Sequence, residues 1–161
     1  IEAAQADIVK LGELRDRLRQ AKDAYWSEQV DIEAQVASAF VLDAEGKHDD
    51  ALKALSAAAD AEDKTEKHAV TPGVAKPARE LYGVLLLERG KAVEALAAFE
   101  ATLKKEPNRL AACVGAAKAA EKAGDTAKAE EYYKKVVAIA GDADKSRIEV
   151  GEARAFLTKK S

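Results

Sequence analysis

The 161-residue chain is poor in the residues that most reactive sites use. It has one cysteine, two histidines, no methionine, three prolines and only 5% aromatics. The single Cys113 excludes an intramolecular disulfide and a multi-cysteine metal site, and its place on the periodic face of a helical segment predicts a small buried thiol. No run approaches the roughly 18 apolar residues of a membrane span, so no membrane insertion is expected. The net charge of −3 gives no long-range pull toward nucleic acid or acidic lipid. There is no phosphate-cradling glycine loop after a strand, no His-Glu-x-x-His and no nucleophile beside a base. The sequence therefore predicts no enzyme, no catalytic residue, no metal site and no cofactor.

What the chain does have is alanine, lysine and glutamate. Hydrophobic residues make up 48% of the sequence and charged residues 34%. With so few aromatics, alanine carries much of the apolar count, which suits helices and suits sheets poorly. The stretch Pro77 to Pro107 reads as two short antiparallel helices joined at Arg89-Gly90-Lys91. Gly83 and Ala95 are small where the two helices should approach, and Phe99 is the large residue beside them. Gly90 can take positive φ where the first helix must end. Pro107 cannot continue the second helix, and Asn108 is the expected N-cap of the next.

The set recurs. Gly124, Ala129 and Tyr133 stand 34 residues after Gly90, Ala95 and Phe99, with Ala117 as the small partner and Gly141 in place of the terminal proline. Gly46, Ala51 and Leu55 keep the same internal offsets, with Ala39 as partner, but stand 44 residues before the central set. An insertion of ten residues must separate the first two units. The spacing of Gly83, Ala95, Phe99 and Pro107, with Leu86 in place of the usual Tyr, resembles a tetratricopeptide repeat (TPR). The expected fold is all-α, a TPR-like right-handed stack of about three antiparallel helix pairs with capping helices at both ends. One domain, 1–161, should comprise an N-terminal helix (1–22), repeat 1 (24–62), an insertion loop (63–76), repeat 2 (77–107), repeat 3 (108–141) and a capping helix (146–159).

Flanking segments fit that plan. Ile8, Leu11, Leu14 and Leu18 mark an amphipathic helix that Lys22-Asp23 would interrupt. Tyr25 and Trp26 are expected to clamp this helix onto the repeats. The insertion carries Thr71-Pro72-Gly73, a turn signal, and Lys76-Pro77, which favours a helix start. His68 near Asp60, Glu62, Asp63 and Glu66 lacks a second ligand cluster, so a solvated acidic helix end is the expected description. Ser146 and Glu149 offer a capping box for the last helix. The chain opens at Ile1 in sequence of mid-helix character, and with no methionine it is expected to be a fragment or a processed product.

A more specific resemblance lies in Asp23 to Val30 (DAYWSEQV), in EDKTEKHAVTPGVAKPARELYG and in KEPNRLAACVGAAKAAEKAGDTAKAEEYY. These runs are similar to the C-terminal region of longer bacterial TPR proteins of unassigned function; where those relatives commonly have a proline after the histidine, this chain has Ala69. The resemblance implies no catalytic residues, and because many of those relatives are exported it favours the periplasm over the cytoplasm. The TPR likeness also implies a ligand face on the first helix of each pair. Its candidate groove residues are Val36, Phe40, Glu80, Val84, Leu87, Val114 and Lys118, with Glu33, Asp43, Ala111 and Glu121 around them. The TPR group that grips a C-terminal carboxylate uses Lys, Asn and Arg there. Val36, Phe40, Glu80 and Val84 exclude that subclass. An apolar centre with an acidic rim instead fits a protein or peptide partner, a helix or extended apolar segment, or other repeats of the same parent chain. Lys118 alone is no basic stripe for nucleic acid. The expected function is a non-catalytic protein–protein interaction scaffold. The alternative is a regulatory or structural module of a larger protein whose catalytic part is absent from this chain.

Overall fold

A computed structural model describes residues 1–65, 74–141 and 147–159. Among them are eight α-helices and no strand: α1 (Glu2–Gln20), α2 (Ala24–Ala44), α3 (His48–Lys64), α4 (Ala78–Glu88), α5 (Ala92–Lys105), α6 (Leu110–Lys122), α7 (Thr126–Ala140) and α8 (Ile148–Thr158). His68, the Thr71-Pro72-Gly73 turn and the Ser146 half of the capping box lie outside the described residues. The chain divides into two compact units, Ile1–Tyr82 and Gly83–Ser161, so that α4 begins in the first and ends in the second.

One turn design closes the hairpins. Gly46, Gly90 and Gly124 have φ of 81°, 75° and 78°, a region that residues with a Cβ rarely occupy. At each, the amide two residues past the helix cap folds back on the last turn: Lys47 N–H to Leu42 O, Lys91 N–H to Leu86 O and Asp125 N–H to Ala120 O, all at 2.9 Å. The glycine amide bonds one residue further along, to Asp43, Leu87 and Glu121 respectively. This double closure satisfies carbonyls that a helix end would otherwise leave bare. The α1–α2 turn uses the same closure without a glycine. Lys22 takes φ 59° while Asp23 N–H donates to Leu18 O at 2.9 Å. The next helix then starts on a side-chain cap where the residue permits. Asp23 accepts from Trp26 N–H at 3.2 Å and Asp125 from Lys128 N–H at 3.0 Å. Lys47 and Lys91 occupy the equivalent place and cap nothing.

In the first unit α1 packs on α2 and α2 on α3. Ile32, Ala39, Ala51, Leu55, Ala58 and Ala59 form the core, and α1 contributes no fully buried residue. Arg15 on α1 reaches Asp31 on α2 at 2.9 Å. Of the two rings expected to clamp α1, Trp26 is 45% exposed and Tyr25, edge-on to it at 5.1 Å, is half-buried.

In the second unit α5, α6, α7 and α8 pack in succession. The sequence assigns the N-cap of α6 to Asn108, but the structure places it at Arg109, with no side-chain cap. Asn108 instead lies inside a turn closed by Arg109 N–H to Glu106 O at 3.2 Å. Glu106 before Pro107 leaves the helical region, at φ −131° and ψ 75°, in keeping with the bar on helical conformation for a residue preceding proline. α8 starts at Ile148 on an Arg147 cap that makes no side-chain hydrogen bond. It buries Val150 and Ala153, sets Phe156 against the Tyr133 ring at 4.6 Å and places Glu152 2.7 Å from Lys118.

Candidate functional site: the first-helix faces

In the second unit the geometry turns on Phe99, which is 1% exposed. Its ring is flanked by two glycines from different helices. A Cβ on Gly83 of α4 would sit 3.0 Å from ring atoms Cε1 and Cζ, and one on Gly115 of α6 would sit 2.4 Å from the same two atoms. Both helices therefore reach the same edge of the ring with bare backbone. Gly83 is the small residue that the repeat spacing identifies. Gly115 escapes that alignment because the repeat register points to Ala117, two positions later, which is also fully buried.

Beside each glycine stands a valine. Val84 follows Gly83 and is 38% exposed, while Val114 precedes Gly115 and is half-buried. Leu87, three residues on from Val84 and on the same side of α4, is also half-buried. Lys118 lies one turn along α6 from Val114, and its Nζ is held 2.7 Å from Glu152 Oε2. The Glu121 carboxylate accepts from the Tyr133 hydroxyl at 2.7 Å, so the acid expected at the rim is tied to the hairpin behind it. Burial, and next this carboxylate, raise the Tyr133 pKa well above its ordinary value. Tyr132 behaves alike through burial and Glu100, which also takes Lys128 Nζ at 2.6 Å.

The first unit offers less. Phe40 on α2 is 37% exposed, but Val36 and Glu80, expected to face a ligand, are buried within the protein. Neither presents surface to a partner in this state. Asp43 at the end of α2 accepts from or is paired with His48 Nδ1 at 2.8 Å.

Among the described residues no group of three His, Cys, Asp or Glu is placed to hold a metal ion, and no helix is long and apolar enough to cross a membrane. Cys113 is fully buried, and burial raises its pKa, which disfavours the nucleophilic thiolate.

Two tetratricopeptide-repeat family models match the chain, over residues 39–108 and 86–157. Among solved structures it is similar to PcrH from Pseudomonas aeruginosa, with 20% identity over 80% of this chain and 89% of that one and a TM-score of 0.60. It is also similar to MamA (residue 41 to the end) from Desulfovibrio magneticus RS-1, with 15% identity over 94% and 92% of the two chains and a TM-score of 0.57. No curated protein sequence gives a significant match. The glycine turns, the paired helices around Phe99 and these matches agree: the chain belongs to the tetratricopeptide-repeat family.

Proposed function

We propose that the chain is a non-catalytic scaffold that binds a protein or peptide through the first helices of its hairpins, with Val84, Leu87 and Val114 as apolar anchors. The observation that carries this reading is the pair of valines beside Gly83 and Gly115. Each sits where its helix comes closest to the Phe99 ring, yet Val84 keeps 38% of its surface accessible. An apolar residue on rigid backbone at such a place loses water on contact with a partner without first having to be ordered. Phe40 is the corresponding candidate in the first unit. Val36 and Glu80 leave the set because they are buried, and Lys118 contributes its alkyl stem while its charge stays with Glu152. The partner is a helix or extended apolar segment, from another protein or from other repeats of the same parent chain. Neither nucleic acid nor a bilayer is called for.

The test compares Val84→Lys with Val93→Lys. Val93 is 69% exposed at the start of α5, a second helix, and serves as the control. Both should fold, with melting changes equivalent to about 0.5 kcal/mol, as expected for surface sites. Val84→Lys should weaken capture of the partner by the protein about ten-fold or more, and Val93→Lys should leave it unchanged. Equal capture by both variants would move the binding surface elsewhere.

A further inference from the structure

The ten residues by which the Gly46–Gly90 spacing exceeds the Gly90–Gly124 spacing do not all lie in a connection. α3 has 17 residues where α5 has 14. In the register set by the turn glycines, Ala61 matches Lys105, the last residue of α5. The insertion thus begins as nearly one more helical turn, Glu62-Asp63-Lys64.

Two of these three extra residues reach the start of α4. Glu62 Oε2 accepts from Ala78 N–H at 2.7 Å, satisfying an amide that the first turn of a helix cannot satisfy itself and placing negative charge at a helix N-terminus. Asp63 Oδ2 accepts from Arg79 Nε at 3.0 Å and from its terminal nitrogen at 2.7 Å. Asp60, one turn earlier, accepts from that same nitrogen. The Arg79 side chain is only 16% exposed. Burial opposes its charge, but the bonds from Asp60 and Asp63 outweigh burial and raise its pKa. At the other repeat junction the connection is four residues, 106–109, and α6 starts with no side-chain cap. A short connection itself dictates where the next helix begins, whereas a long one restricts it less.

We propose that the inserted turn is an electrostatic latch. It holds the first turn of α4 on the end of α3 by charge and hydrogen bonding, in place of the covalent connection. The first unit then keeps its last helical turn seated when the connection is altered or cut.

The experiment places a protease recognition sequence within residues 66–73 of the full chain and cuts it. Hydrogen exchange is read at the Leu81 amide, which bonds to Pro77 O at 3.1 Å, and at an amide of α5 as folding control. Cutting alone should change Leu81 exchange by less than about two-fold. Cutting combined with Arg79→Ala should raise it about ten-fold or more, with Arg79→Lys between the two and the α5 amide unaffected. The latch is overturned if cutting alone accelerates Leu81 as much as the combination, or if Arg79→Ala changes nothing in the cut protein. Should Arg79→Ala unfold the chain, Glu62→Gln and Asp63→Asn each remove one charge. They carry the same comparison, and no acceleration by either overturns the latch.

Discussion

Adding one methyl group at Gly115 tests the packing argument most severely. The Cβ of Gly115→Ala would stand 2.4 Å from Phe99 Cε1 and Cζ and 2.7 Å from Cδ1, where carbon atoms normally rest at about 3.5–4.0 Å. Ring or helix must therefore move by about 1 Å inside a close-packed core that leaves Phe99 1% exposed. Overpacking of this kind costs about 1–3 kcal/mol, and a displacement this large belongs near the top of that range. Alanine recovers about 1 kcal/mol through its better helix propensity, leaving a net loss of about 2 kcal/mol. For a chain of this length that lowers Tm by about 4–8 °C. Gly83→Ala, whose Cβ would meet the ring at 3.0–3.1 Å, needs a shift of only a few tenths of an ångström and should fall within about 1 kcal/mol of the parent. Thermal and urea melts of both, with Phe99→Leu as partner in a double-mutant cycle, supply the measurement. The smaller side chain should cancel most of the Gly115→Ala penalty, giving a coupling of about 1–2 kcal/mol. If Gly115→Ala were instead stabilised by about 1 kcal/mol, propensity alone would be acting and the ring would not lie between the two helices.

Other outcomes follow from the turns and the tyrosines. Lys22→Gly relieves the one positive φ carried by a side chain among the described residues and should raise stability by about 0.5–1 kcal/mol in a urea melt. Lys91→Asp supplies the cap that Asp125 already provides for α7 and should stabilise by about 0.5–1 kcal/mol; no change would mean that the start of α5 lacks the cap geometry. Tyr132 and Tyr133 have native pKa values raised above the ordinary 10.0, so the folded state retains protons that the unfolded state gives up. Their stabilising effect is complete below about pH 10 and is lost as pH rises from there toward the native values. Melts between pH 9 and 12 should show that fall, and Tyr133→Phe should make it shallower.

The turns were the most legible part of the fold because glycine at positive φ is a backbone requirement that sequence displays directly. Gly46, Gly90 and Gly124 mark three hairpins and their register. The α1–α2 turn was harder to see, since Lys22 adopts the same conformation without advertising it. Gly115 was hidden because its reason for being small is a contact with Phe99 of the neighbouring helix, off the repeat register. Asn108 misled because its residue type suits a cap, whereas Pro107 ahead of it shapes a turn that delays the helix to Leu110. The face was legible only in part. Residue spacing puts Val84 and Leu87 on one side of α4, and Val84 keeps 38% of its surface exposed, but spacing cannot tell that Val36 and Glu80 are buried, since burial depends on what packs against them.

The central claim, that a partner docks on the first-helix face, is tested most directly by a photo-activated cross-linking residue placed at Val84 and, separately, at Val93 of the protein. The account predicts a covalent adduct with the same partner from position 84 and none from position 93. An adduct from position 93 with none from position 84 would contradict it.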